Sequence, residues 1–168
     1  MVIGIIAVLA SLLLAAVVLA IRHAEKAQAR TEVKNIESAV RGYMSDFNRY
    51  PEAGACRLQS TGSGQTDVDL VNILRGINTN ADANPRAQIY LDINEKSLGT
   101  NVPGGQLGFM YDPWGNPYQL AVDNQSVNRV VNADGETLIA RTIAVWSWGP
   151  NKTTTPDPND ITHIRSWK

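Results

Sequence analysis

The hydrophobic pattern divides the chain in two. From Met1 to Ile21 there is no charged residue and no proline, and Leu, Val, Ile and Ala fall on every helical face. At about 1.5 Å per residue this run makes a helix of roughly 32 Å, close to the thickness of a bilayer's hydrocarbon. A helix that is apolar all round has no side to show to water. After Arg22 the pattern becomes a single stripe. Ala29, Val33, Ile36, Val40, Tyr43 or Met44, and Phe47 recur at spacings of three and four among charged residues. This predicts an amphipathic continuation of the same helix, ending before Tyr50-Pro51, since proline disfavours helix in the residue ahead of it. The rod is then about 70 Å long. On its polar side Glu37 and Arg41 form a favourable pair one turn apart, and Arg30 and Lys34 a like-charged one.

The remaining pattern predicts a small head. Residues 52–66 are rich in Gly, Ser and Thr and read as a loop, residues 67–76 as a short helix stopped by Gly76, and residues 78–84 as a second loop. Strands are expected at Gln88 to Ile93, at Tyr118 to Val122, at Val127 to Val131 and, most strongly, along Leu138 to Ser147. Turns are expected at 101–108 and 123–126. The helix stripe and one sheet face must bury each other. The expected fold class is therefore α+β, a long N-terminal helix packed by its second half on a small antiparallel sheet. Its parts are an apolar helix over 1–21, an amphipathic continuation over 22–50, and a globular head over 51–168.

Three fates suit the apolar run: a buried core helix, a secretory signal peptide, or a helix placed in lipid or among copies of itself. Small domains rarely enclose so long an all-apolar helix. A signal peptide would have a basic start and a shorter core, and its helix pattern would stop at a cleavage site. The third fate fits.

Composition narrows the function. The 168 residues carry 15 basic and 16 acidic side chains, without the basic excess of a nucleic-acid binder. The one cysteine, Cys56, excludes an internal disulfide and a cysteine-rich metal site. Of the two histidines, His23 stands at the boundary of the apolar run beside Arg22 and Lys26 and reads as interfacial, and His163, among apolar residues near the C-terminus, reads as a satisfied or exposed structural histidine. The sequence holds no nucleophile–base pair, P-loop, dinucleotide fingerprint or histidine–carboxylate metal spacing, and we expect no enzyme.

Three blocks carry a family resemblance. They are the long helix ending in YMSDFNRYP at Tyr43 to Pro51, DPWGNPY at Asp112 to Tyr118, and SWGPN at Ser147 to Asn151 followed by Asn159-Asp160-Ile161 and Trp167. In order and spacing they resemble the major pseudopilin of type II secretion systems and, more broadly, the type IV pilin superfamily. The resemblance implies a subunit of a helical homo-oligomeric filament, either a secretion pseudopilus or a surface pilus. Such a subunit waits as a single-pass protein of the bacterial inner membrane and ends in a periplasmic or extracellular filament. Its implied partners are an inner-membrane assembly platform and a prepilin peptidase. Val2, Ile3, Ile6, Leu9, Leu13 and Val17 would form the filament core. By that alignment Met1 falls several residues inside the family's mature helix, and Ala15 stands where a proline is common, so a straighter helix is expected. Positive-inside counting of Arg22, Lys26 and Arg30 would leave the head in the cytoplasm, whereas the resemblance places it outside. The alternative is a monomeric single-pass protein whose head binds a ligand or partner.

Two head features attract chemistry. Asp112, Pro113, Trp114 and Gly115 form a turn device: the carboxylate accepts from amides ahead of it, proline fixes one dihedral, Gly115 or Asn116 takes positive φ, and Trp114 and Tyr118 pin the turn against the sheet. In the C-terminal loop, Asn151, Asp157, Asn159 and Asp160 crowd hard oxygen donors between prolines, the ligand type that calcium takes. The resemblance implies a calcium ion there, held by Ser147, Asp157 and Asp160 with backbone carbonyls. Asn151 stands where the family commonly has aspartate.

Overall fold

A computed structural model describes residues 2–51, 64–65, 68–77, 83–99, 105, 109–123, 129–131, 137–139, 141–150 and 164–166. Ahead of Ala16 only the side chains of Ile3, Ile6, Leu13 and Leu14 are described. Cys56, Asn151, Asp157, Asn159, Asp160, His163, Trp167, the side chains of Val2 and Leu9, and most of the loops expected at 52–66, 101–108 and 123–126 lie outside the described residues.

One continuous helix, α1, runs over Val2–Phe47. Its end is sealed by Asn48, which turns to φ 51° while its amide donates to the Met44 carbonyl at 2.8 Å. Ala29, Val33, Ile36, Val40 and Tyr43 are buried, and Phe47 packs beside them. The stripe is the one the spacing predicts. Glu37 and Arg41 pair at 2.7 Å on the outer side.

The head adds β1 (Gly64–Gln65), α2 (Val68–Leu74), a 3-10 turn at Glu95–Ser97, β2 (Gln119–Val122), β3 (Arg129–Val131), β4 (Thr137–Ile139), β5 (Ile143–Ser147) and β6 (Ile164–Arg165). Four strands make an antiparallel sheet in the order β1-β2-β5-β6, and β3 and β4 form a separate antiparallel ribbon. Alternation along the two central strands decides which face meets the helix. Leu120, Val122, Ile143 and Val145 join the core beneath α1, whereas Ala121, Ala144, Trp146 and Trp148 form a second cluster with Val130. Both faces of β2 and β5 are therefore covered, which is why Leu120 to Val122 and Ile143 to Trp146 are continuously apolar.

Two strand expectations need correction. Leu138 to Ser147 is not one strand. It is split between β4 and β5, with a bend at Thr142 whose carbonyl accepts from the Asp123 amide at 2.9 Å. Six positions separate β2 from β3 but only three separate β4 from β5, so one ladder cannot run in register through all four strands.

Gln88 to Ile93 forms no strand and pairs with none among the described residues. Its period-2 pattern holds over Leu91 to Ile93, both buried with Asp92 exposed between them, and fails at Ile89, which is exposed although in phase with them. The backbone donors go elsewhere: the amides of Tyr90 and Leu91 both reach the Leu74 carbonyl, at 2.8 and 3.0 Å, and cap α2. Asn84, in a stretch expected to be plain loop, is buried and bonds Ile73 O, Gln88 O and the Gln88 amide. Gly76 closes α2 at φ 70°, with the Ile77 amide reaching back to Asn72 O at 2.9 Å.

Candidate functional site

The turn at Asp112 to Gly115 forms as its chemistry predicts. The Gly115 amide donates to Asp112 O at 3.0 Å, and Gly115 takes φ 82°. The Asp112 carboxylate is buried. Oδ1 accepts from the amides of Trp114 and Asn116 at 3.0 and 2.7 Å, and Oδ2 from Asn116 Nδ2 and Ser147 Oγ at 3.1 and 2.6 Å. Burial raises its pKa, and the four donors pull it back. Asn116 also donates to Gly149 O at 2.9 Å, so this turn holds the start of the C-terminal loop.

The rings of Trp114 and Tyr118 pack with the core cluster that includes the sheet residues Leu120, Val122, Ile143 and Val145, and their polar ends reach the helix as well. Trp114 Nε1 donates to Glu25 Oε2 at 3.1 Å, and the Tyr118 hydroxyl to Glu32 Oε2 at 2.5 Å. A buried phenol and a half-buried indole both find acceptors, and α1 presents both carboxylates on the side facing the head. Glu32 is a polar centre that the sequence reading missed. Its Oε1 accepts from Ser97 Oγ at 2.7 Å and Gln28 Nε2 at 3.0 Å. The available signal was position, because Glu32 falls three residues after Ala29 and four before Ile36, beside the apolar stripe. Burial first, then the Glu32 carboxylate, raises the pKa of the Tyr118 phenol.

Of the residues expected to hold calcium, only Ser147 is described. Its hydroxyl donates to Asp112 and accepts from the Gly149 amide at 3.0 Å. Asp157 and Asp160 lie outside the described residues. Among the described residues no three His, Cys, Asp or Glu side chains gather as a metal would require.

The four expected filament-core positions whose side chains are described, Ile3, Ile6, Leu13 and Val17, lie on a part of α1 that the described head does not cover. Ile3 is 84% exposed, Leu13 64% and Val17 51%, and Ile6 is likewise open. Among the described residues no helix is long and apolar enough to cross a membrane. The uncharged run also includes side chains, those of Val2 and Leu9 among them, that are not described.

Beside Trp114 lies a cavity of about 450 Å³, lined among the described residues by Arg22, Glu25, Lys26, Trp114 and Pro150. Comparison with protein-family models, curated proteins and solved structures gives no match.

Proposed function

We propose that the protein is the structural subunit of a helical filament of the type IV pilin kind, a secretion pseudopilus or a related fibre, and acts by assembly rather than catalysis. One observation carries this. A single unbroken helix is buried by its own head from Ala29 onward, yet exposes Ile3, Ile6, Leu13, Leu14, Val17, Val18, Leu19 and Ile21. Each such side chain gains about 1.5 kcal/mol or more when removed from water, so this stretch requires a cover. Lipid before assembly and identical helices afterwards are both apolar. Exchange between them is then decided by packing. The pilin-like arrangement of long helix and small antiparallel sheet belongs to the same reading.

The inner membrane before assembly, an assembly platform and a prepilin peptidase would be the partners. A calcium ion, held by Ser147, Asp157 and Asp160, would order the loop that Asn116 and Asp112 anchor at its start. Electron microscopy of the full chain after detergent removal tests the main claim. Filaments with the apolar helices at the centre support it, and a persistently monomeric protein refutes it.

A further inference from the structure

The cavity between α1 and the Asp112 turn sits at a particular depth. Arg22 is the first charge after the uncharged run, and Lys26 follows one turn later on the same side. Both line the cavity, and among the described residues neither takes part in an ion pair. Glu25, the one carboxylate in the lining among the described residues, gives Oε2 to the Trp114 indole. Among the described residues two cations thus face one carboxylate that is already engaged, and the indole forms an aromatic wall.

We propose that this cavity binds the phosphate headgroup of an anionic phospholipid. The inference rests on the reading that Met1 to Ile21 lies in a bilayer before assembly. In that setting Arg22, Lys26 and Trp114 stand at the headgroup layer, where basic and indole side chains are favoured. The volume exceeds what an acidic side chain from a neighbouring copy would fill, and suits a phosphodiester with its polar substituent. The proposal also gives Arg22 and Lys26 a use on the outer side of the membrane, against the positive-inside trend. It makes extraction into a filament include release of a lipid.

The test uses the full chain. Flotation with phosphatidylcholine vesicles first establishes membrane association. Native mass spectrometry in detergent then compares phosphatidylglycerol with phosphatidylcholine. The expected result is a single phosphatidylglycerol bound about tenfold or more in preference. The preference falls about fivefold in Arg22→Gln, falls again in Arg22→Gln/Lys26→Gln, survives in Lys26→Arg, and weakens with salt. Both cations lie on the helix surface facing the cavity, and an unchanged unfolding transition verifies that the Gln variants fold. Equal binding of the two lipids, or a preference that persists in the double variant, overturns the proposal. Competition by free glycerol phosphate as strong as by the lipid makes this a soluble-anion site and overturns it too. So does a double variant that keeps its lipid but no longer self-associates. A chain that fails to float even with phosphatidylcholine refutes the membrane reading itself, an outcome distinct from loss of lipid preference alone.

Discussion

Tyr118 and Glu32 meet across the helix–sheet boundary, the phenol donating to Glu32 Oε2 at 2.5 Å in a setting where both are buried. Tyr118→Phe keeps the ring and removes the donor, leaving a buried carboxylate oxygen without it. Hydrogen bonds to charged groups contribute about 1.5 to 3 kcal/mol, and we expect a loss of that size in chemical denaturation of the head. A double-mutant cycle with Glu32→Gln should return a coupling above about 0.5 kcal/mol. An additive cycle would show that the pair does not fasten helix to head.

Alkaline pH probes a second aromatic contact. Burial, followed by the hydrogen bond to Asp46 Oδ2 at 2.7 Å, pushes the Tyr90 phenol up to about 12. The folded state therefore holds this proton more tightly than the unfolded chain, whose phenol titrates near 10. Its contribution is fully present below pH 10 and is lost as pH rises toward about 12. Stability of the native protein should fall across that window, and Tyr90→Phe should fall less steeply. Parallel pH curves for the two proteins would dismiss the assignment.

What the sequence discloses is governed by range. The stripe through Ala29, Val33, Ile36, Val40 and Tyr43 is visible because a helix repeats its own geometry, and the Asp112 turn because its carboxylate bonds amides two and four residues on. Glu32 could not be paired in the same way. Its partners Ser97 and Tyr118 lie 65 and 86 positions away, and only the fold brings them near. Gln88 to Ile93 carries a strand's alternation, but alternation does not say where the amides go, and here they cap α2. The break at Thr142 was hidden because both sides of it are rich in β-formers, and register depends on the opposite arm. For the candidate surfaces, the exposed apolar stalk was legible from composition. The cavity beside Trp114 was not, since it joins residues 22–26 to 114 and 150.

Gly76 is a position where a single methyl group should be decisive. Its φ is 70°, and an added Cβ would come within 2.5 Å of the Ala87 carbonyl oxygen. Backbone sits on both sides of the clash, so relief requires moving the 87–88 segment that follows the cap of α2. Gly76→Ala should destabilise the head by about 3 kcal/mol, above the roughly 1 kcal/mol of left-handed strain alone. A measured loss below about 1 kcal/mol would mean that the two segments are not held this closely.

Calcium removal tests the C-terminal loop. If Ser147, Asp157 and Asp160 hold the ion, binding stabilises only the folded head, by about 2.7 kcal/mol at a hundredfold excess over the dissociation constant. A calcium-specific chelator should lower the melting midpoint by several degrees, and added calcium should restore it. Asp157→Ala and Asp160→Ala should melt at the chelated value with or without the ion. A midpoint indifferent to chelator rules out the calcium proposal and leaves the filament proposal intact.

The stalk offers the cleanest separation of folding from assembly. Val17 lies twelve residues before Ala29, about 18 Å along the helix from the first buried stripe position, and touches none of the head's core. Val17→Asp should therefore leave the unfolding of the head unchanged within about 0.5 kcal/mol. In an apolar surround the same carboxylate costs about 2.5 to 3.5 kcal/mol, and in a filament every copy carries it. Filament yield by sedimentation and microscopy should drop about a hundredfold, while Val17→Leu assembles normally. Leu13→Lys should behave as Val17→Asp does, because the sign of the charge does not alter the cost of desolvating it. Charged variants that still polymerise would place these side chains at a water-facing surface of the fibre. The exposed half of α1 would then need a different partner.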